Sequence, residues 1–193
     1  TQLCSSAASD VYKRQNYKTS KYSRLFANIS TGFETPTLNE FSSSPIGSGF
    51  NNTLKSQKSL NFEFGLSLFN SLNNLNFDIV YFNSSTKNEV LSYEDENFPN
   101  QKFYNNAGKS KRSGLELSSS IRINQSINIE TSYSIGKYMF DQFIDKGNDY
   151  SGNKIPGVPE SMMNVNLEYS TKNELFINLN FKSIGNIYAD NLN

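Results

Sequence analysis

The chain has 193 residues, with 18 basic and 18 acidic side chains and no histidine. Without net charge it has no overall attraction for nucleic acid or for an anionic membrane surface. Without histidine it lacks the commonest general base and metal ligand, so serine–histidine and cysteine–histidine catalysis are excluded. Its only cysteine, Cys4, permits neither an internal disulfide nor a cysteine-cluster metal site. The composition therefore argues against histidine-dependent hydrolases, cysteine-cluster metal sites and a nucleic-acid partner, and we expect neither enzymatic activity nor a resident cofactor.

The first 15 residues, TQLCSSAASDVYKRQ, show neither strand nor helix periodicity. Their last part, DVYKRQ, resembles a peptide translated from sequencing-adapter DNA at the edge of an assembled stretch of DNA. We predict that residues 1–15 are a non-native segment, with a native mobile loop as the alternative, and we exclude them from the fold prediction. The domain is then expected to span residues 16–193.

Seven extended segments follow, and the clearest alternation lies in residues 59–83. There Leu60, Phe62 and Phe64 alternate with polar residues, and successive side chains of a β-strand point to opposite faces. The pattern predicts strands with one apolar and one polar face. Their approximate ranges are 22–31, 57–69, 74–88, 102–121, 126–140, 161–170 and 174–187.

Short and long connections between these segments alternate along the chain. The short ones are residues 70–73, 122–125 and 171–173, and the long ones are residues 32–56, 89–101 and 141–160. Outer-membrane barrels combine short periplasmic turns with long extracellular loops and alternate apolar-out with polar-in. Their strands need about 9–11 residues, which these segments reach. The sequence therefore predicts an all-β, antiparallel transmembrane β-barrel portion with about seven strands.

The polar face leaves a second fold class open. Glu63, Asp78, Glu116, Glu130 and Glu168 lie well inside the predicted strands. In a barrel they face the lumen, whereas in a soluble sandwich they form a solvated outer face. They do not fit the dry core of a sandwich, because each buried charge there would need a partner.

Four ordered stretches resemble TonB-dependent outer-membrane receptors. YSRLFANISTGFETPTLNEF (22–41) is similar to an outward strand that ends in a Gly-Phe-x-x-Pro element. GFNNTLKSQKSLNFEFGL (49–66) resembles the return into the next strand, with Ser56 where the family usually has proline. YNNAGKSKRSGLELSSSI (104–121) and GNKIPGVPESMMNVNLEY (152–169) resemble later elements of the same barrel. The matching residues, expected to be structural, are Gly32, Phe33, Pro36, Glu40, Glu63, Gly65, Asn106, Gly108, Gly114, Glu116, Pro156 and Pro159.

The resemblance implies the C-terminal half of a 22-stranded barrel in the bacterial outer membrane. Seven strands cannot close such a barrel, so we expect a fragment without the plug domain, the TonB-engaging segment and the last strands. The implied activity is TonB-energised import of a scarce ligand, most similar here to an iron–siderophore complex. The implied partners are TonB, the chain's own plug domain, a metal-chelate ligand, and outer-membrane lipid and lipopolysaccharide.

Two loop regions contain candidate ligand contacts. The acidic and aromatic residues near 93–104 could stack on a ligand, although three consecutive acids in a loop do not make a rigid cation site. The basic residues of 109–112 could attract an anionic ligand or a lipopolysaccharide phosphate, or form a solvated rim. The six candidates are Tyr93, Phe98, Tyr104, Lys109, Lys111 and Arg112.

Other functions fit parts of the pattern. A passive outer-membrane porin or channel shares the alternation and the loop polarity, but not the four receptor-like stretches. A secreted β-rich binding module needs shorter strands and a uniformly apolar buried face. Among receptor ligands, cobalamin, haem, other metal chelates and glycans stay open beside the siderophore, because selectivity lies in loops and in the plug.

Overall fold

A computed structural model of the chain describes residues 11–44, 49–70, 74–95, 97–106, 108–145, 147–171 and 175–192. These residues form twelve β-strands and one five-residue helix, α1 (Leu38–Ser42). Among them, no helix is long and apolar enough to cross a membrane. The strands are β1 (Tyr12–Ser20), β2 (Ser23–Glu34), β3 (Gln57–Asn70), β4 (Leu75–Lys87), β5 (Val90–Asp95), β6 (Phe98–Asn106), β7 (Lys109–Arg122), β8 (Ile127–Gln142), β9 (Ile144–Asp145), β10 (Asn148–Asp149), β11 (Ser161–Ser170) and β12 (Phe176–Ile184).

Eight of the strands form one antiparallel sheet in the order β1-β2-β3-β4-β7-β8-β11-β12. The sheet is open, with β1 and β12 at its edges. The other four strands form two small hairpins, β5–β6 and β9–β10. The predicted antiparallel barrel portion is confirmed, with eight strands in the sheet rather than seven.

The connections separate the two ends of this sheet. Residues 21–22, 71–74, 123–126 and 171–175 make the short connections, and their end is called the turn end. Residues 35–56, 88–108 and 143–160 make the long ones, and their end is called the loop end. The predicted alternation is confirmed, although the predicted turns at 70–73 and 171–173 fall largely on residues outside the described ranges.

The two faces of the sheet differ as the alternation predicts. On the apolar face, the side chains of Leu60, Phe62 and Phe64 are 51%, 43% and 48% exposed, respectively. Across the sheet Phe64 lies between Ala27 of β2 and Tyr81 of β4, which belong to the same face. A contiguous apolar surface of this kind is unfavourable in water and is the surface that a barrel presents to lipid.

Four elements were not predicted from the sequence: β1, α1, and the hairpins β5–β6 and β9–β10, the last of which lies in the predicted loop 141–160. Strand β1 pairs with β2 from Tyr12 to Ser20, and its first four residues lie in the segment that we excluded. That residues 1–15 are non-native stays a prediction, and residues 1–10 lie outside the described ranges. The predicted loop 89–101 contains most of the β5–β6 hairpin, and the loop after β2 contains α1. These segments lack the regular apolar alternation on which the prediction rested.

A small buried core lies at the loop end, where the end of β8 meets the long connections. Phe140, Phe143 and Ile155 are almost completely buried at the loop end. Four partly buried residues pack against them, and these come from the hairpin, from β8 and from the loop after β8: Leu91, Tyr138, Tyr150 and Val158. The long connections therefore form a packed structure above the polar face.

Candidate functional site

The polar face is a continuous wall of hydrogen-bonding groups. Glu63 accepts a hydrogen bond from the Asn28 amide at 2.7 Å, and the Ser67 hydroxyl donates to the Asp78 carboxylate. Near the other edge, Glu168 accepts one from the Asn128 amide at 3.2 Å. Cross-strand pairs of this kind satisfy the polar groups and leave the wall wettable.

A cleft of about 350 Å³ opens in this wall at the loop end. Strands β2, β3 and β4 border it at the same height, because their register aligns Gly32 with Ser59 and Ser59 with Thr86, and β7 contributes Arg112. We call it the loop-end cleft. Its lining is almost entirely polar: Gly32, Phe33, Glu34, Gln57, Ser59, Asn61, Ser84, Thr86, Glu89 and Arg112.

Arg112 is the cation of the loop-end cleft. Its guanidinium forms an ion pair with Glu89 and donates hydrogen bonds to the hydroxyls of Thr86 and Ser110 at 3.3 and 3.0 Å. The side chain of Glu89 is only 11% exposed, and its second carboxylate oxygen, Oε2, has no hydrogen-bond partner in the described structure. A buried charge-assisted pair fixes the guanidinium at the cleft wall.

A second cavity of about 200 Å³ adjoins the cleft and shares Glu34, Gln57 and Glu89 with it. The Gln57 amide donates to the Glu34 carboxylate. Glu40, at the start of α1, accepts a hydrogen bond from the Thr37 backbone at 2.6 Å, while its own backbone N–H donates to the Thr37 hydroxyl. This capping box positions the helix at the margin of the cavity.

Asn106 connects two of the long loops above the cleft. Its amide nitrogen donates to the backbone carbonyls of Lys55 and Asn88, both at 2.8 Å, and its amide oxygen accepts from the Lys55 N–H at 2.7 Å. The Asn51 amide likewise donates to the carbonyl of Tyr104 at 3.0 Å. The loops after β2 and β4 are therefore bonded to each other through side-chain amides.

Two glycines of the polar face have close neighbours, a side-chain ring at Gly65 and backbone at Gly114. A Cβ on Gly65 would lie 2.3 Å from the ring of Phe26, and one on Gly114 would lie 2.3 Å from the Ile135 carbonyl. Gly114 faces Gly136 across the β7–β8 pair, so the two backbones approach closely.

The remaining residues of the receptor-like stretches lie near the cleft or on the polar face. Phe33 packs beneath the Lys58 ammonium, 5.8 Å from the ring centre. Pro36 is buried and lines the second cavity. Gly108 accepts a hydrogen bond from the Asn88 N–H at 3.1 Å, and Glu116 is exposed on the polar face. Pro156 and Pro159 are half-buried in the loop before β11.

The three aromatic candidates lie on the β5–β6 hairpin. Tyr93 and Phe98 both contact the buried ring of Phe103, with ring centres 5.9 and 5.6 Å apart. Burial raises the pKa of the Tyr93 phenol, and the nearby carboxylates of Asp95 and Asp145 raise it further. Phe98 is exposed and Tyr104 is half-buried. The acidic residue Glu96 of the same predicted loop lies outside the described residues.

The structure does not bring the three basic candidates together. Arg112 belongs to the polar face and to the cleft. Lys109 and Lys111 belong to the opposite face, because their positions alternate with it along β7. Lys111 forms a salt bridge with Asp141 at 2.6 Å. The predicted cluster is therefore split between the two faces of one strand.

The sequence prediction missed Glu89 and Thr86. Each is polar and lies at a strand end, where polar residues are expected anyway, so no local signal distinguishes it. The register alone aligns Thr86 with Ser110 and brings Glu89 to Arg112, 23 positions along the chain. Within the described ranges, no group of three or more acidic, histidine or cysteine side chains could hold a metal ion.

Comparisons with known proteins agree with this architecture. The siderophore receptor PirA from Pseudomonas aeruginosa is 19% identical, with a TM-score of 0.66 over 91% of this chain and 30% of its own. The ferric yersiniabactin uptake receptor FyuA from Yersinia pestis is 18% identical, with a TM-score of 0.68 over 93% of this chain and 26% of its own. The copper transporter OprC is 16% identical, with a TM-score of 0.65 over 83% of this chain and 24% of its own. The chain thus spans about a quarter to a third of the structures that it resembles.

The family-level match covers nearly the whole chain. The model described as "TonB dependent receptor-like, beta-barrel" matches residues 12–193, which include all eight strands of the sheet. The chain belongs to the TonB-dependent receptor-like β-barrel family.

Proposed function

We propose that this chain is part of the wall of an outer-membrane receptor that takes up a scarce ligand, an iron–siderophore complex, with energy supplied through TonB. Family membership places the chain in the bacterial outer membrane. There the apolar face meets lipid, the polar face lines the lumen, and the loop end is extracellular. The protein acts by binding and transport, without covalent chemistry on its ligand.

One observation carries the proposal. The long connections, the cleft and the fixed cation of Arg112 all lie at the extracellular end of the lumen wall. A ligand that arrives from outside meets this end first. Polar groups that are already held in place lower the entropic cost of binding, because few side chains have to be immobilised.

The ligand class is supported by the proteins that this chain resembles. Two of the three compared structures are siderophore or ferric-siderophore receptors, and the third is a copper transporter. All three names concern metals or metal chelates. A ferric siderophore commonly carries anionic groups, and Arg112 partly offsets the Glu34 and Glu89 carboxylates of the cleft, which would otherwise repel them.

The proposed partners outside this chain are a plug domain within the barrel and TonB. The polar face suits a plug, because a wall of hydrogen-bonding groups and water allows a folded domain to move. An apolar wall would hold it by hydrophobic burial. Apolar replacements of Glu63, Glu116 and Glu130 should therefore lower TonB-dependent uptake.

The test uses the complete receptor that contains this chain, expressed in an outer membrane with and without TonB. Uptake of radiolabelled ferric enterobactin and ferric alcaligin is measured for the parent, for Arg112→Gln and for Arg24→Gln. Arg24 lies on the same face at the turn end and donates to the Ser67 hydroxyl at 3.2 Å, which makes it the matched control.

We expect saturable uptake of one probe only when TonB is present. Arg112→Gln should weaken its binding at least about tenfold, since hydrogen bonds to charged groups contribute about 1.5–3 kcal/mol. Arg24→Gln should have little effect. Equal uptake with and without TonB would instead identify a passive channel. If neither chelate is taken up but cobalamin is, in a TonB-dependent manner, the ligand is not an iron–siderophore complex.

A further inference from the structure

The second cavity at the loop end is lined by an excess of acidic side chains. Glu34, Glu40 and Glu89 line it, and the other residues around it are uncharged: Thr35, Pro36, Gln57 and Val90. We call it the acidic cavity. Arg112 lines the adjoining loop-end cleft and, of these three carboxylates, pairs only with Glu89. One fixed cation therefore stands against three carboxylates, and the local charge is negative.

Each of the three carboxylates accepts a hydrogen bond from one donor among the described residues. The donors are a backbone N–H, a side-chain amide and a guanidinium: Thr37 to Glu40, Gln57 to Glu34 and Arg112 to Glu89. An ionised carboxylate has about four lone-pair sites that can accept hydrogen bonds. The acidic cavity therefore presents more acceptor sites than these donors satisfy.

Glu89 has the least satisfied carboxylate of the three. The residue is 9% exposed, and its Oε2 atom is shielded from solvent without a hydrogen-bond partner in the described structure. Its other oxygen, Oε1, accepts from Arg112. A buried carboxylate oxygen without a donor costs free energy, which a bound donor recovers. Because Glu89 lines both the loop-end cleft and the acidic cavity, a ligand group in the acidic cavity is positioned to be that donor.

The lining of the acidic cavity suits one kind of cation. The three carboxylates do not converge on a metal ion, since no group of three such side chains within the described ranges could hold one. A primary ammonium has three N–H donors and requires no fixed coordination geometry. Buried Pro36 and half-buried Val90 add apolar surface, along which the methylenes of an alkyl chain can lie. The acidic cavity thus matches an alkylammonium group.

We propose that the acidic cavity binds a primary alkylammonium group of the imported metal chelate, with Glu89 as its main acceptor. The rest of the chelate lies in the loop-end cleft, which shares Glu34, Gln57 and Glu89 with the cavity. The ion pair with Arg112 holds the Glu89 carboxylate in place. The inference rests on the proposed function, since it names a chemical group of the ligand proposed there. It narrows the substrate class to chelates with a free amino group.

The experiment compares two ferric trihydroxamates that differ in one group. Ferrioxamine B ends in a primary ammonium, and N-acetylferrioxamine B has a neutral amide in its place. The dissociation constant of each is measured by titration at neutral pH against the complete receptor in phosphatidylcholine nanodiscs. The readout is the ratio of the two constants. A general loss of folding or of affinity leaves this ratio unchanged, because both chelates share it.

We expect the parent to bind ferrioxamine B at least about tenfold more tightly than its acetylated form, because hydrogen bonds to charged groups are the stronger kind. Glu89→Gln should reduce this ratio to within about twofold. Glu34→Gln changes an exposed side chain, so it tests the cavity without a buried substitution, and it should reduce the ratio about threefold. Glu168→Gln is the matched control. It removes the same charge from the polar face at the turn end and should keep the parent ratio.

Equal binding of both chelates by the parent would overturn the proposal. A ratio that Glu89→Gln and Glu34→Gln leave unchanged, or that Glu168→Gln lowers equally, would also overturn it. The uptake experiment with and without TonB separates this inference from the proposed function. If ferric enterobactin or ferric alcaligin is taken up but neither trihydroxamate binds, the alkylammonium site is wrong and the proposed function stands. If no chelate is bound or taken up, both are wrong.

Discussion

The loop end and the turn end of the sheet are stabilised in different ways. At the loop end, side chains bury one another in the Phe140, Phe143 and Ile155 cluster, and the ion pairs seen among the described residues all lie there. At the turn end the strands simply reverse through short connections. The same chain therefore contains a packed structure at one end and a bare sheet at the other.

The difference follows from the solvent around each part. The sheet between the two ends leaves its large apolar side chains exposed, so lipid rather than a protein core covers them. The long loops lie in water, where exposed backbone and apolar groups must be satisfied by the loops themselves. A barrel with long outer loops thus needs a small hydrophobic core within its loop end, in addition to the strands whose apolar side chains face lipid.

The largest effect is expected from Phe140→Ala. Phe140 is 1% exposed and stacks against Phe143 with ring centres 4.7 Å apart. Removal of a buried phenylalanine costs about 3–5 kcal/mol. Amide hydrogen exchange in residues 143–160 of the reconstituted receptor should accelerate more than about 100-fold. In Phe77→Ala, on the apolar face near the turn end, exchange in this loop should not change. Equal acceleration in both variants would mean that the loop end has no separate core.

The second prediction removes the connection between two loops. Asn106→Leu leaves the carbonyls of Lys55 and Asn88 and the Lys55 N–H without their partner. These three hydrogen bonds are exposed or partly buried, and each contributes about 0.5–1.5 kcal/mol. Trypsin should cleave after Lys55 at least about tenfold faster than in the parent. Asn105→Leu is the control, and similar cleavage in both variants would contradict the role of Asn106.

The third prediction concerns the wall between the ends. Gly114→Ala places a methyl group 2.3 Å from the Ile135 carbonyl, and a backbone atom cannot yield as a flexible side chain can. Overpacking of this kind costs about 1–3 kcal/mol. The reconstituted receptor should unfold at a lower temperature, whereas Ser113→Ala, on the opposite face of β7, should leave the transition in place. An unchanged unfolding temperature of Gly114→Ala would show that β7 and β8 can move apart far enough to accommodate the added methyl group.

Sequence patterns predicted the wall better than the loop end. In β3, β8 and β11 apolar side chains recur at every second residue, and this pattern identifies the face that meets lipid. The pattern can be read from one strand without knowledge of its neighbours. The β5–β6 hairpin gave no such signal, since its buried residue Phe103 is surrounded by polar neighbours. The pairing of Arg112 with Glu89 depends on the register between strands β4 and β7. A strand's own residues do not encode that register.

The smallest effect on stability is expected from Asp141→Asn, which breaks the exposed pair with Lys111. Exposed salt bridges contribute about 0.2–1 kcal/mol, so the unfolding transition should barely move. Asp95→Asn, on the hairpin, removes an equal charge and is the matched control. A clear fall in the unfolding temperature of Asp141→Asn, but not of Asp95→Asn, would show that the 2.6 Å pair stabilises the loop end despite its exposure.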